Sequence, residues 1–166
     1  MPFSALPIDA RSLFLTANTT TVYVFFCIDL KDGPMVVQVP PVVLGPFDDG
    51  FFRWVTDVGL TGPDKGKGGK YLFVPPGFAG NVPSEGYFVF RPRTNRLLTF
   101  YRAFVEGGDI AAAVRPVKAA AAIYPLAKAA NPPPTEFVNI FGKKFNTISS
   151  NTFSFYDELN AVVQTR

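Results

Sequence analysis

Histidine is absent from this 166-residue sequence, and no other gap removes as much chemistry. Without imidazole there is no Ser-His-Asp or Cys-His machinery, no histidine metal ligand, and no imidazole general acid or base. Cysteine occurs once, at Cys27. A single cysteine excludes an internal disulfide, and with no histidine beside it a zinc site is implausible. Inside its apolar run Cys27 reads as a small core residue. No cofactor and no metal is expected. Charge is also scarce: 17% of residues are charged and the net charge is +3. The basic residues are scattered apart from one cluster, whereas nucleic-acid binders concentrate charge on one face, so no nucleic-acid partner is expected. No apolar stretch reaches the roughly eighteen residues of a membrane helix. Met1 to Ala10 holds two prolines and an aspartate, with no basic start before an apolar run, so no signal peptide is read there. The compartment stays open: cytoplasmic, or exported if a natural N-terminus precedes this one. Any chemistry falls to carboxylates, lysine, arginine, tyrosine, serine or threonine, or to another chain.

Apolar residues are plentiful. They make up 48% of the chain, and eighteen are phenylalanine. Aromatics bury large areas, so this supply either fills a dense core or leaves apolar surface for a partner. The length suits about one domain. Thr21–Asp29 is β-branched and aromatic and reads as a strand. Lys31–Pro34, with its Asp-Gly pair, is turn chemistry, and Met35–Val39 runs back until Pro40-Pro41 stops it. Further strands are read at Phe51–Val58, Lys70–Val74, Gly86–Phe90 and Arg96–Val105. Their spacing predicts a mainly β fold, an antiparallel β-sandwich or jelly-roll-like sheet, with connections too short for helical crossovers. One or two short α-helices are expected in the C-terminal third. Asp109 would cap an alanine-rich helix with Ile110, Val114, Val117 and Ala121 on one face, kinked or divided at Pro116. Asn131–Pro134 is a rigid linker, residues 135–150 a turn-rich β segment, and Asn151–Gln164 a helix. The expected organisation is an N-terminal extension (1–14), a β-rich core (15–130), and a linker, β segment and helix (131–166).

The run "TGPDKGKGGKY" (residues 61–71) packs four glycines and three lysines into eleven positions. It is not a phosphate-binding P-loop. Thr61 and Asp64 stand where that motif needs glycine, Tyr71 follows Lys70 where a serine or threonine is needed, and a strand follows rather than a helix. Two readings remain: Lys65, Lys67 and Lys70 over converging backbone N–H groups as an anion site, or a solvated loop whose glycines supply unusual dihedrals. The loop reading leads. Asp48-Asp49-Gly50 lacks the alternation of a calcium loop and reads as a turn. Among Asp29, Asp32, Asp57, Asp64 and Glu85 a glycosidase-like carboxylate pair is conceivable. Tyr71 and Tyr87, with Arg53 or Arg102, are the histidine-free acid–base or anion-holding candidates. Asp57, Tyr71 and Arg102 head the catalytic candidates. No serine has a lysine three residues on, which removes the simplest serine–lysine signature.

The segments "LTANTTTVY" (15–23), "DLKDGPMVVQVPP" (29–41), "FFRWVTDVGLTGPDKGKGGKYLFVPPG" (51–77), "VPSEGYFVFRPRTN" (82–95) and "FVNIFGKKFNTISSNTFSFYDELNAVVQ" (137–164) occur in an order that resembles the bacterial family catalogued as domain of unknown function 1254. The likeness runs from about Leu15 onward, and the glycine–lysine segment is its most specific part. The resemblance implies a β-rich, sandwich or jelly-roll-like fold. It also implies a longer parent architecture, with a helical portion before this region and a companion domain of unknown function 1214 after it, of which this chain would be a truncated piece. Many relatives carry "NTDT" where this chain has Thr19-Thr20-Thr21, so the resemblance supplies no carboxylate there, and it supplies no catalytic residues to carry over.

Together these features point to a β-rich binding or interaction domain within a larger multidomain or oligomeric assembly. Its partners would be a companion domain or a second copy through aromatic surface, with an anionic or carbohydrate ligand as a further expectation. The alternative is a histidine-free hydrolase or lyase acting on a polysaccharide or other polar, anionic substrate.

Overall fold

The computed structural model describes residues 4–6, 12–13, 18, 20–139, 145–146 and 148–164. Their elements, in chain order, are strands β1 (Ser4–Leu6), β2 (Ser12–Leu13), β3 (Thr21–Asp29), β4 (Met35–Val39), β5 (Val43–Asp49), β6 (Trp54–Gly59), β7 (Gly69–Phe73), β8 (Phe88–Phe90) and β9 (Arg96–Phe104), helix α1 (Ile110–Ala120), strand β10 (Ala122–Pro125), a 3-10 turn (Leu126–Lys128), strand β11 (Phe145–Asn146) and helix α2 (Ser154–Gln164). The fold is mainly β. One sheet has five strands in the order β1-β3-β9-β5-β6, a second has four in the order β10-β4-β7-β8, and β11 pairs with β2.

The long strands alternate as a half-buried sheet requires. In β3, Val22, Val24, Phe26 and Ile28 are buried, and Leu97, Thr99, Tyr101 and Ala103 do the same in β9, paired with it along its whole length. All of these except the polar Thr99 form one apolar cluster with Val37 and Val39 of β4, Val43 and Phe47 of β5, and Tyr71 and Phe73 of β7. The two sheets therefore share a core. The phenylalanines account for much of it: Phe47 lies 4.5 Å from Phe73 between ring centroids, and Phe26 meets Tyr101 edge-on at 6.2 Å. Pairs of this kind add about 0.5–1.5 kcal/mol beyond their burial.

Four expectations need correction. The sheets are not wholly antiparallel: β8 runs parallel to β7. The connection 74–87 supplies the dozen or more residues a parallel return needs, without any helix. The strand read at Phe51 begins only at Trp54, because Asp49 to Arg53 forms the turn from a strand not anticipated, β5. Gly45 and Pro46 look like strand breakers, yet β5 lies between β9 and β6. Its register with β9 skips both residues, so the missing proline donor is not called on, and a Cβ on Gly45 would come within 2.4 Å of the Phe100 carbonyl oxygen. Of the two readings at Pro116, a kink or a division, the division is the one overturned: the alanine-rich segment is a single helix that contains Pro116. Asp109 caps it by accepting the Ala112 N–H at 2.9 Å, and its buried side is Ala113 and Val117, while Ile110 is exposed. The alanines after it continue as β10, which extends the edge of β4. Finally, Cys27 is exposed, on the β3 face turned away from the core. Of the turn-rich segment expected at 135–150, residues 140–144 and 147 lie outside the described residues.

Candidate functional site

The glycine–lysine run joins β6, at one edge of the five-stranded sheet, to β7 within the four-stranded sheet. It is built around a carboxylate of its own. Asp64 is buried; its Oδ1 accepts the Gly59 N–H at 2.8 Å and the Tyr71 hydroxyl at 2.5 Å, and its Oδ2 accepts the Gly68 N–H at 2.9 Å. Four further amides of the run are engaged as well. Gly62 and Gly66 donate to the Gly59 carbonyl, Lys65 to Gly62, and Lys67 to the Asp64 carbonyl. Gly66 and Gly68 take φ of +78° and +73°, and Lys65, with a side chain, takes +50°. Glycine is needed where the path turns left-handed. The amides of Gly59 and Gly68 are thus spent on the Asp64 carboxylate, and those of Gly62, Lys65, Gly66 and Lys67 on backbone carbonyls. Lys65, Lys67 and Lys70 stand exposed around this closed loop.

Tyr71 is fully buried between Phe88 and Phe90, with ring centroids at 5.3 and 5.9 Å. Burial first, then the hydrogen bond to Asp64 and the charge of that carboxylate, push its phenol far above the usual range. The shift favours the protonated phenol that donates to Asp64, which suits anchoring rather than proton abstraction. Asp57, between buried Thr56 and Val58, is half-buried and accepts the Trp54 indole N–H at 3.1 Å. Arg102 is half-buried on β9, with β5 lying between it and the strand of Asp57. Its Nε is buried with no hydrogen-bond partner among the described residues. Tyr87 is half-buried beside the smaller apolar cluster of Val36, Leu72 and Val74.

The acidic turn is also self-satisfied. Asp49 is buried and accepts the Phe51 and Arg53 amides at 2.9 and 3.1 Å and the Arg53 side chain at 2.7 Å. Burial alone would raise its pKa, but those hydrogen bonds and the guanidinium charge outweigh it and hold the carboxyl below its ordinary value. Asp48, pushed up by burial and by the charges of Asp49 and Asp57, behaves oppositely. Asp29 and Asp32, with Lys31 and the exposed Cys27, border a cleft of about 600 Å3 whose far wall is the proline-rich stretch 133–136. Glu136 also lines it, a residue that sequence reasoning missed because only the tertiary fold brings the linker to the end of β3. Partial desolvation by its neighbours on the sheet raises the Cys27 thiol pKa, partly offset by Arg96. Glu85 is exposed in the loop before β8.

One apolar surface stands out. None of the residues of α2 is buried. Phe155, Tyr156, Leu159, Val162 and Val163 follow helical spacing, and Tyr156 and Leu159 are 59% and 44% exposed, with Phe153 just before the helix at 78%. Val162 and the turn residue Phe52 line a cleft of about 290 Å3 with Cys27 and Leu98. Phe52 and Trp54 are 72% and 68% exposed. No helix in the described residues is long and apolar enough to cross a membrane.

Residues 2–125 match the family model described as "Protein of unknown function (DUF1254)". No curated protein is a match. The crystal structure of the VPA0106 protein from Vibrio parahaemolyticus is similar with a TM-score of 0.67 at 16% identity, over 99% of this chain and 39% of that one. At that identity the likeness is one of fold, and the present chain spans well under half of the relative's length.

Proposed function

Since this chain belongs to the DUF1254 family, we propose that it is a β-rich interaction domain, its two sheets forming a sandwich, which docks onto a companion domain through the apolar stripe of α2. The observation that carries this reading is the exposure of that stripe. A surface helix of a globular protein turns its apolar face to the core, whereas Phe155, Tyr156 and Leu159 remain in contact with solvent. Contiguous exposed apolar surface marks an interaction site. The relative of similar fold, in which the matching region is 39% of the chain, has ample further polypeptide to cover such a face. Phe52 and Trp54 extend the same character onto the β5–β6 turn.

Light scattering on a size-exclusion column tests the proposal. The isolated chain should self-associate or bind a hydrophobic dye through the uncovered stripe, and Phe155→Glu with Leu159→Glu should abolish both. A monomer that binds no dye, or a double variant that behaves as the parent does, would overturn it.

A further inference from the structure

The turn from β5 to β6 and the turn from β8 to β9 meet at one end of the molecule. Thr94 joins them: its hydroxyl accepts the Gly50 N–H at 3.0 Å and donates to the Arg96 carbonyl at 2.7 Å. Between the two turns lies a small cleft of about 170 Å3, lined by Arg53, Arg91 and Arg93, with Trp54 on its wall and Asp49 at its base. Asp49 neutralises and orients Arg53. Among the described residues the salt bridges are Lys31–Asp32 and Arg53–Asp49, so Arg91 and Arg93 have no carboxylate partner. Both are exposed and separated by the buried Pro92, whose ring fixes the backbone between them.

We infer that this cleft is a binding site for an oxyanion, a carboxylate or phosphate group, carried by a ligand whose adjoining ring or apolar part rests on Trp54. Guanidinium groups are planar forks that meet carboxylate and phosphate in paired, charge-assisted hydrogen bonds, and they also stack on aromatic faces. Here two unneutralised guanidinium-bearing residues line a space sized for one such group. Its wall is preorganised by the Asp49 and Thr94 bonds, which limits the ordering cost of binding. The lysines of the glycine-rich loop stand around amides already committed to Asp64 and to backbone carbonyls, so the arginine cleft, not that loop, is the anion site.

Trp54 is the sole tryptophan of the chain, so its fluorescence reports on this cleft alone. The full chain would be titrated with inorganic phosphate, with trigalacturonic acid as a carboxylate-bearing sugar, and with neutral maltotriose. A saturable change in emission with phosphate, with the uronate, or with both supports the site and identifies the source of the oxyanion. It should weaken with added salt. Arg91→Gln and Arg93→Gln, both at exposed positions outside the strands, should each weaken binding about tenfold, while Lys65→Ala, Lys67→Ala and Lys70→Ala combined should leave it unchanged. Calorimetry on the same variants provides a readout independent of the indole, and far-ultraviolet circular dichroism verifies their folding. Absence of a saturable response to either anion, equal binding of the neutral sugar, arginine variants that bind as the parent does, or loss confined to the lysine variant would each overturn the inference.

Discussion

Asp64 is the clearest case of one residue organising its surroundings. Three donors converge on it, buried ones from Gly59 and Tyr71 and a partly buried one from Gly68. Removing the acceptor leaves all three without partners, and each buried unsatisfied group costs roughly 1–3 kcal/mol. Asp64→Ala should therefore destabilise the chain by about 3–5 kcal/mol, read as a shift in the denaturant midpoint. Tyr71→Phe removes a single donor and should cost about 1–2 kcal/mol. If the two variants were equally mild, the loop would not be built on this carboxylate. Both residues stand out in the sequence as chemistry-bearing, Asp64 as one of several acids and Tyr71 as an acid–base candidate. What one sequence cannot give is that each is the other's partner, because a buried hydrogen bond between residues seven positions apart depends on the path of the loop.

At the scale of elements, strand assignment followed composition where alternation is plain and failed where tertiary contacts override it. The bounds of β3 and β4 are those of the apolar runs Thr21–Asp29 and Met35–Val39. β5 was not legible, since Gly45-Pro46 is a breaker pair by local preference and is tolerated only because β9 crosses there. Turns store strain that can be measured. Phe52 holds φ of +57° with its side chain exposed, and a left-handed non-glycine residue costs roughly 1–2 kcal/mol. Phe52→Gly should consequently stabilise the chain by up to about 1 kcal/mol, visible in thermal melts. Gly59, at φ +78°, is the opposite case: a Cβ there would fall 1.5 Å from the Val43 carbonyl oxygen. Gly59→Ala should cost at least about 3 kcal/mol, and a neutral result would contradict the β5–β6 pairing at that point.

For the whole molecule, the acid limb of stability is where charge and fold couple. Asp49 has a folded pKa below its ordinary value of 3.8, so its contribution is fully present above that value and is lost as pH falls through the lower folded value. Melting temperature should drop as pH goes from about 5 to about 2, and Asp49→Asn should flatten that decline while lowering stability at neutral pH. An unchanged slope would show that the Arg53 pairing does not set the acid limb. The sequence by itself determined the mainly β class, the failure of the P-loop reading and the capped helix at Asp109, because these rest on local period, composition and motif spacing; that the phenylalanines fill a core shared by both sheets is read from the structure. The tertiary structure alone decided that β8 runs parallel to β7, that Cys27 faces outward, that the loop amides are taken by Asp64 and by backbone carbonyls, and that Arg53, Arg91 and Arg93 line one cleft between two turns. Each of these depends on the path of the chain in three dimensions, through loop closure or contacts between segments distant in sequence, and no local pattern encodes that path.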